Sequence, residues 1–148
     1  MDRRDFLKTV AVSGAAMTIQ RSEAMEILTQ AVNSTGKPDL VAVMGDEPEL
    51  MFQRAIAELG GMKQFVKSGQ KVVVKPNIGW DKVPELAGNT NPKLVAEIVK
   101  QCFAAGAKEV TVFDHTCDDW QKCYKNSGIE AAAKAAGAKV MPAHLEIG

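Results

Sequence analysis

Two short runs in this chain combine residue types that bind or transfer charge. Lys75-Pro76-Asn77 follows the apolar triplet Val72-Val73-Val74, and Asp114-His115-Thr116-Cys117 follows Val110-Thr111-Val112-Phe113. A β-branched apolar run that ends abruptly in polar residues reads as a strand leaving the core. A lysine at such an end is a point charge suited to a carboxylate or a phosphate. Asn77 could orient the same anion, and Pro76 removes a ladder donor and stiffens the exit. The plainer reading is a lysine that snorkels to solvent and an asparagine that makes a turn. Asp114 and His115 offer acid–base chemistry or metal ligands. Successive strand residues point to opposite faces, so the two are not automatically a pair, and Asp114 could simply cap its loop.

Cys117 and Cys123 are separated by five residues. In an oxidising compartment, loop cysteines at that distance could close a small disulfide ring. Thiolate ligands to a metal, and free thiols, are the other two readings; the disulfide ranks first. The chain has three cysteines and no C-x-x-C, so it cannot complete a four-cysteine iron–sulfur site by itself. The cofactor therefore stays open between a metal, an iron–sulfur group and none. Cys102 lies on an apolar helix face and reads as core.

Positioning these residues is the task of alternating strands and helices. Leu40-Val41-Ala42-Val43-Met44 reads as a first strand buried on both faces. Pro48 and the acidic residues beside it open a helix whose face is Phe52, Ala55, Ile56 and Leu59. Gly60-Gly61 interrupts it, and Met62, Phe65 and Val66 continue a short second piece. Val72 to Val74 is the second strand, again buried on both faces. Thr90 or Asn91 caps the next helix, with Pro92 just inside and Val95, Ile98, Val99 and Cys102 along its face. Backbone N–H groups at that start could also hold an anion, which makes Thr90 and Asn91 secondary ligand candidates. Val110 to Phe113 is the third strand. A loop then runs to Asn126-Ser127-Gly128, a helix spans about Ile129 to Ala136, and Val140-Met141 begins a fourth strand.

This alternation predicts an α/β fold: a parallel, Rossmann-like sheet of about four strands with flanking helices and right-handed crossovers. In such sheets ligands bind outside the carboxyl ends of the strands. The two longest loops, after Asn77 and after His115, leave from that edge, and loops this long are usually functional. Each carries a tryptophan, Trp80 or Trp120, that could wall an apolar ligand or cover the sheet edge.

The N-terminus has a different character. Arg3-Arg4 followed by Phe6-Leu7-Lys8 matches the twin-arginine export pattern. The mild apolar run Val10 to Ile19 is about half of what a membrane span needs. Basic head, short apolar middle and the small-x-small site Ser22-Glu23-Ala24 make an export signal over residues 1–24. The implied partner is the twin-arginine translocase and the implied location is periplasmic or otherwise exported. That route carries folded proteins, which raises the expectation of a cofactor loaded first without naming one. Residues 25–38 read as a linker and 39–148 as the domain. With 18 basic and 18 acidic residues the formal net charge is zero, so a nucleic-acid partner has no support. There is no G-x-G-x-x-G, no Walker loop and no G-x-S-x-G.

The order of Val72-Val73-Val74-Lys75-Pro76-Asn77, Asn89-Thr90-Asn91-Pro92, Gly106-Ala107, Asp114 and Ser127-Gly128 resembles the domain of unknown function 362 family. The resemblance runs from about Asp39 to Glu146. It implies an α/β architecture and marks Lys75, Asn77 and Asp114 as shared motif positions. Family domains run longer than this chain, so the expectation is an incomplete, amino-terminal part. Some members carry a ferredoxin-type cluster segment; this sequence has none, and no established reaction comes with the resemblance. The functional expectation is an exported protein whose strand-end crevice takes an anionic or metal-bearing ligand, with a redox role open. The alternative is a non-catalytic module that captures a solute or a partner.

Overall fold

A computed structural model gives the fold and describes residues 38–142. The export pattern at Arg3, Arg4, Phe6 and Leu7, and most of the linker, lie outside the described residues.

The first element is helix α1, Pro48–Glu58, with proline in its first turn and Glu49 near its positive end. Its cap, Leu59, is followed by Gly60 and Gly61, both at positive φ (92° and 83°), which turns the chain without a Cβ clash. After a 3₁₀ turn at Met62–Gln64 comes strand β1, Lys71–Val74. A second 3₁₀ turn, Pro84–Leu86, lies in the long loop. Helix α2, Pro92–Ala104, follows, then strand β2, Glu109–Val112. Helices α3, Trp120–Asn126, and α4, Ile129–Ala135, lead into the short strand β3, Lys139–Val140.

The sheet order is β1-β2-β3 and both pairings are parallel, with Val74 beside Val112 and Val112 beside Val140. The fold is therefore α/β with a parallel sheet, as the alternation of elements requires. Its core is one cluster: Val110 and Val112 from β2, Val95, Val99 and Cys102 from α2, Cys123 and Tyr124 from α3, and Ile129 and Ala133 from α4. The packing faces of α2 and α4 meet over the strands.

Three expectations need correction. Leu40–Met44 belongs to no strand, and Leu40 and Met44 are 79% and 98% exposed. An apolar run reports a preference for burial; it does not supply the partner. The ladder therefore has three strands among the described residues. Second, β1 is not buried on both faces. Its exposure alternates, with Val72 and Val74 against the core and Val73 60% exposed, because helices cover one face of the sheet and β1 is an edge. Third, residues 120–126 are helical rather than loop. Asp119 caps that helix by accepting from the Lys122 N–H at 3.0 Å, and Cys123 and Tyr124 form its buried face.

The end of the sheet opposite the candidate site is closed by Gly106, at φ +105°. A Cβ there would stand 3.0 Å from the Ser68 Cα, and its carbonyl accepts the Gly69 N–H at 2.8 Å. This contact clips the turn after α2 to the turn before β1, so both strands start together.

Candidate functional site

Parallel register carries both polar runs out on one rim. Val74 and Val112 are partners, the Phe113 N–H donates to the Val74 carbonyl at 3.3 Å, and the chains leave the sheet side by side at Lys75 and Asp114. The Lys75 ammonium meets Asp114 Oδ1 at 2.5 Å. The pair is lopsided: the lysine side chain is 63% exposed and the aspartate 5%. Asp114 Oδ2 accepts the Ile78 N–H at 2.8 Å. Burial pushes the Asp114 carboxyl up. The Ile78 N–H, the Lys75 ammonium and the His115 N–H together outweigh it and hold the group below the ordinary aspartate value. A carboxylate held ionised this firmly is a weak proton acceptor near neutrality, so its part is to fix charge rather than to move protons.

Behind the rim, the backbone of Asp114 is tied to Tyr124. The Asp114 N–H donates to the tyrosine oxygen at 2.8 Å, and the hydroxyl stands 2.8 Å from the Asp114 carbonyl and 3.0 Å from that of Met141. One buried phenol thus joins the ends of β2 and β3. Burial raises the Tyr124 pKa, which keeps the hydroxyl protonated as that role needs.

The remaining polar residues shape the loops. Asn77 donates its backbone N–H to Thr90 Oγ1 at 2.9 Å, and its carbonyl accepts the Thr90 N–H at 3.0 Å. Its side chain accepts from the Gly79 N–H at 3.0 Å and donates to the Gly88 carbonyl at 3.2 Å. Asn77 and Thr90 therefore close the neck of the loop, and the amide of Asn77 shapes that neck. Asn91 caps α2, accepting from the Lys93 N–H at 2.9 Å. Asn89 pairs with Trp80 in both directions, at 3.1 and 2.8 Å. The Gly79 carbonyl accepts the N–H groups of Cys117 and Asp118 at 2.8 and 3.2 Å and receives the Cys123 thiol at 3.6 Å. Asp81 bridges to the same neighbouring loop, through Asp118 Oδ2 at 3.0 Å and Asn126 Nδ2 at 2.6 Å.

His115 is exposed while Asp114 is buried, so the two side chains do not form an acid–base pair. Cys117 and Cys123 are unbonded: Cys117 is exposed, and Cys123 is buried on the inner face of α3. The expected disulfide is not formed in this structure, because the helix turns Cys123 into the core. Burial raises the Cys123 pKa, which makes it a poor thiolate. Among the described residues no group of three or more His, Cys, Asp or Glu comes close enough to hold a metal ion, so His115, Cys117 and Cys123 do not assemble a metal site. Trp80 is 46% exposed, and Trp120 meets Tyr124 edge to face at 6.0 Å. A groove of about 630 Å³ lies between α2 and α4, lined by Lys93, Glu97, Gly128 and Ala132 among others. Its buried carboxylate, Glu97, is already satisfied by the amides of Gln53 and Gln101, both at 2.9 Å.

Tyr124 and the Ile78 N–H were not singled out by sequence reasoning. A signal existed for the first: Asp119 as a cap with Trp120, Cys123 and Tyr124 at helical spacing. No helix among the described residues is long and apolar enough to cross a membrane.

No curated protein and no solved structure matches the chain. Residues 72–146, just over half of its length, match the family described as Domain of unknown function (DUF362). The matched span begins inside β1 and takes in the rim, α2, α3, α4 and all of β2 and β3. The lysine–aspartate pair, the two knotted loops and the phenol behind them all lie within it, and the chain belongs to the DUF362 family.

Proposed function

We propose that this is an exported binding protein whose strand-end rim holds a small anion through the Lys75 ammonium. The observation that supports this reading is the lopsided ion pair: a buried, ionised Asp114 anchors an exposed ammonium at the mouth of a parallel sheet. An ammonium has three donors, and Asp114 takes up one direction, leaving the solvent side for a carboxylate or phosphate oxygen. Ligand capture is favoured over catalysis by the same geometry. Asp114 spends its carboxylate on the Ile78 N–H and Lys75. His115 is an exposed titratable side chain at the β2 exit, while the Asp114 carboxylate is buried. Export rests on the arginine pair and apolar run of the sequence.

The test uses the full chain with inorganic phosphate and acetate as probes, read by backbone amide shifts of Ile78, Asp114 and His115. Saturable shifts with a Kd of about 1 mM or tighter, worth about 4 kcal/mol, are expected in wild type. They should vanish in Lys75→Met and persist in Lys75→Arg, with native circular dichroism throughout. Equal shifts in wild type and Lys75→Met, or none at all, end the proposal.

A further inference from the structure

Among the described residues no strand pairs with the outer edge of β1, and the apolar segment Leu40–Met44 has no ladder of its own. The Val74 carbonyl accepts from Phe113 on the β2 side. Backbone groups alternate along a strand, so those of Lys71 and Val73 point away from β2. An open edge of this kind is a template for another strand.

The direction of α1 indicates which segment fits. Lys93, at the start of α2, pairs with Glu47 at 3.0 Å and stands 3.9 Å from Glu49, at the start of α1. One turn further on, Gln53 of α1 donates to Glu97 of α2 at 2.9 Å. The two helices therefore run side by side in the same direction, both starting at the rim. Helix α2 is the crossover from β1 to β2. Helix α1 is placed as the preceding crossover, and the segment before it must end at the rim too, parallel to β1. That segment is Leu40–Met44, joined to α1 by Gly45, Asp46 and Glu47. Connections of this kind are right-handed almost without exception, and with both helices on one face this puts the segment beside β1 on the side away from β2. Its exposure pattern agrees. Val41 and Val43 are half-buried and Leu40, Ala42 and Met44 exposed, the same alternation that β1 shows.

We propose that Leu40–Met44 docks in parallel on the open edge of β1, as a strap that closes the sheet and brings the Gly45–Glu47 turn alongside Lys75. In the structure described here the strap lies outside the ladder. Its docking does not depend on the anion reading: the first concerns backbone pairing at β1, the second the ammonium at its end.

The test is amide hydrogen exchange on the full chain, resolved by residue. With the strap docked, the Val73 amide exchanges at least about tenfold more slowly than an unprotected amide. The substitution Val43→Pro should abolish that protection while leaving Val110 and Val112 protected, which shows that the sheet itself survives. A Val73 amide that exchanges at the unprotected rate in wild type, beside protected Val110 and Val112, overturns the proposal. So does protection of Val73 that appears only as the protein dimerises with rising concentration, since the occupant is then a second copy's strap. Phosphate binding by the Val43→Pro variant, measured in parallel, keeps failure of the strap distinct from failure of the anion site.

Discussion

Replacing Tyr124 by phenylalanine removes one oxygen and should cost far more than a surface change. The side chain is 1% exposed, so water cannot take over its bonds. Its oxygen accepts the Asp114 N–H at 2.8 Å and, with a single proton, serves either the Asp114 carbonyl at 2.8 Å or the Met141 carbonyl at 3.0 Å. Stranding the buried N–H costs about 1–3 kcal/mol, and losing the donated bond adds about 0.5–1.5 kcal/mol. The ring stays, so its packing against Trp120 is retained and the cavity term is small. The sum is about 1.5–4.5 kcal/mol. In a domain of this size that lowers Tm by roughly 10–25 °C. Urea titration followed by tryptophan fluorescence measures it directly, since Trp120 abuts the altered ring. The midpoint should fall with the slope unchanged. Local exchange of the Asp114 amide should also accelerate. A loss below about 0.5 kcal/mol, within the range of ordinary surface substitutions, would refute the view that this phenol ties β2 to β3.

Two other outcomes follow from the same residues. Asp114 has a folded pKa below its unfolded value, so its stabilising contribution is present above the unfolded pKa of about 3.9 and is lost as pH falls through the folded one. The stability gap between wild type and Asp114→Asn should be about 1–3 kcal/mol at neutral pH and shrink on acidification below pH ~4; a gap that stays flat from pH 7 to the acid limit contradicts the ionised, bonded carboxylate. For export, the full chain should fractionate with the periplasm, and the double change Arg3→Lys with Arg4→Lys should retain it in the cytoplasm. Unchanged fractionation of that variant removes the export proposal.

Helix α2 and the shared rim were legible in the sequence because their causes are local. Asn91 and Pro92 mark a helix start by cap chemistry, and Val95, Ile98, Val99 and Cys102 mark its buried stripe by spacing. The rim follows from β-branched runs that end in polar residues, once parallel pairing is granted. What stayed hidden depended on partners distant in sequence. Val72 to Val74 looks the same whether one face or two is covered, and the structure covers one. The turn that Asn77 makes with Gly79 was among its sequence readings, but its bonds to Gly88 and Thr90 join positions that no spacing rule connects. Helix α3 was short enough for its Asp and Trp to pass as loop residues, and that hid both the burial of Cys123 and the phenol that braces Asp114.

The Gly79 carbonyl has a mechanical consequence. Because it receives two N–H groups from the neighbouring loop and a thiol from α3, the stretch 77–79 is tied to the stretch 117–123 at three points. A side chain at position 79 would press on the Asn77 oxygen at 3.0 Å and disturb the turn that this oxygen closes with the Gly79 N–H. On the anion-binding reading proposed above, the part left to yield to a ligand is the outlying bend around Val83 to Ala87, where every side chain is exposed. Lengthening or trimming that bend should alter which guests are admitted and leave the grip of the lysine untouched.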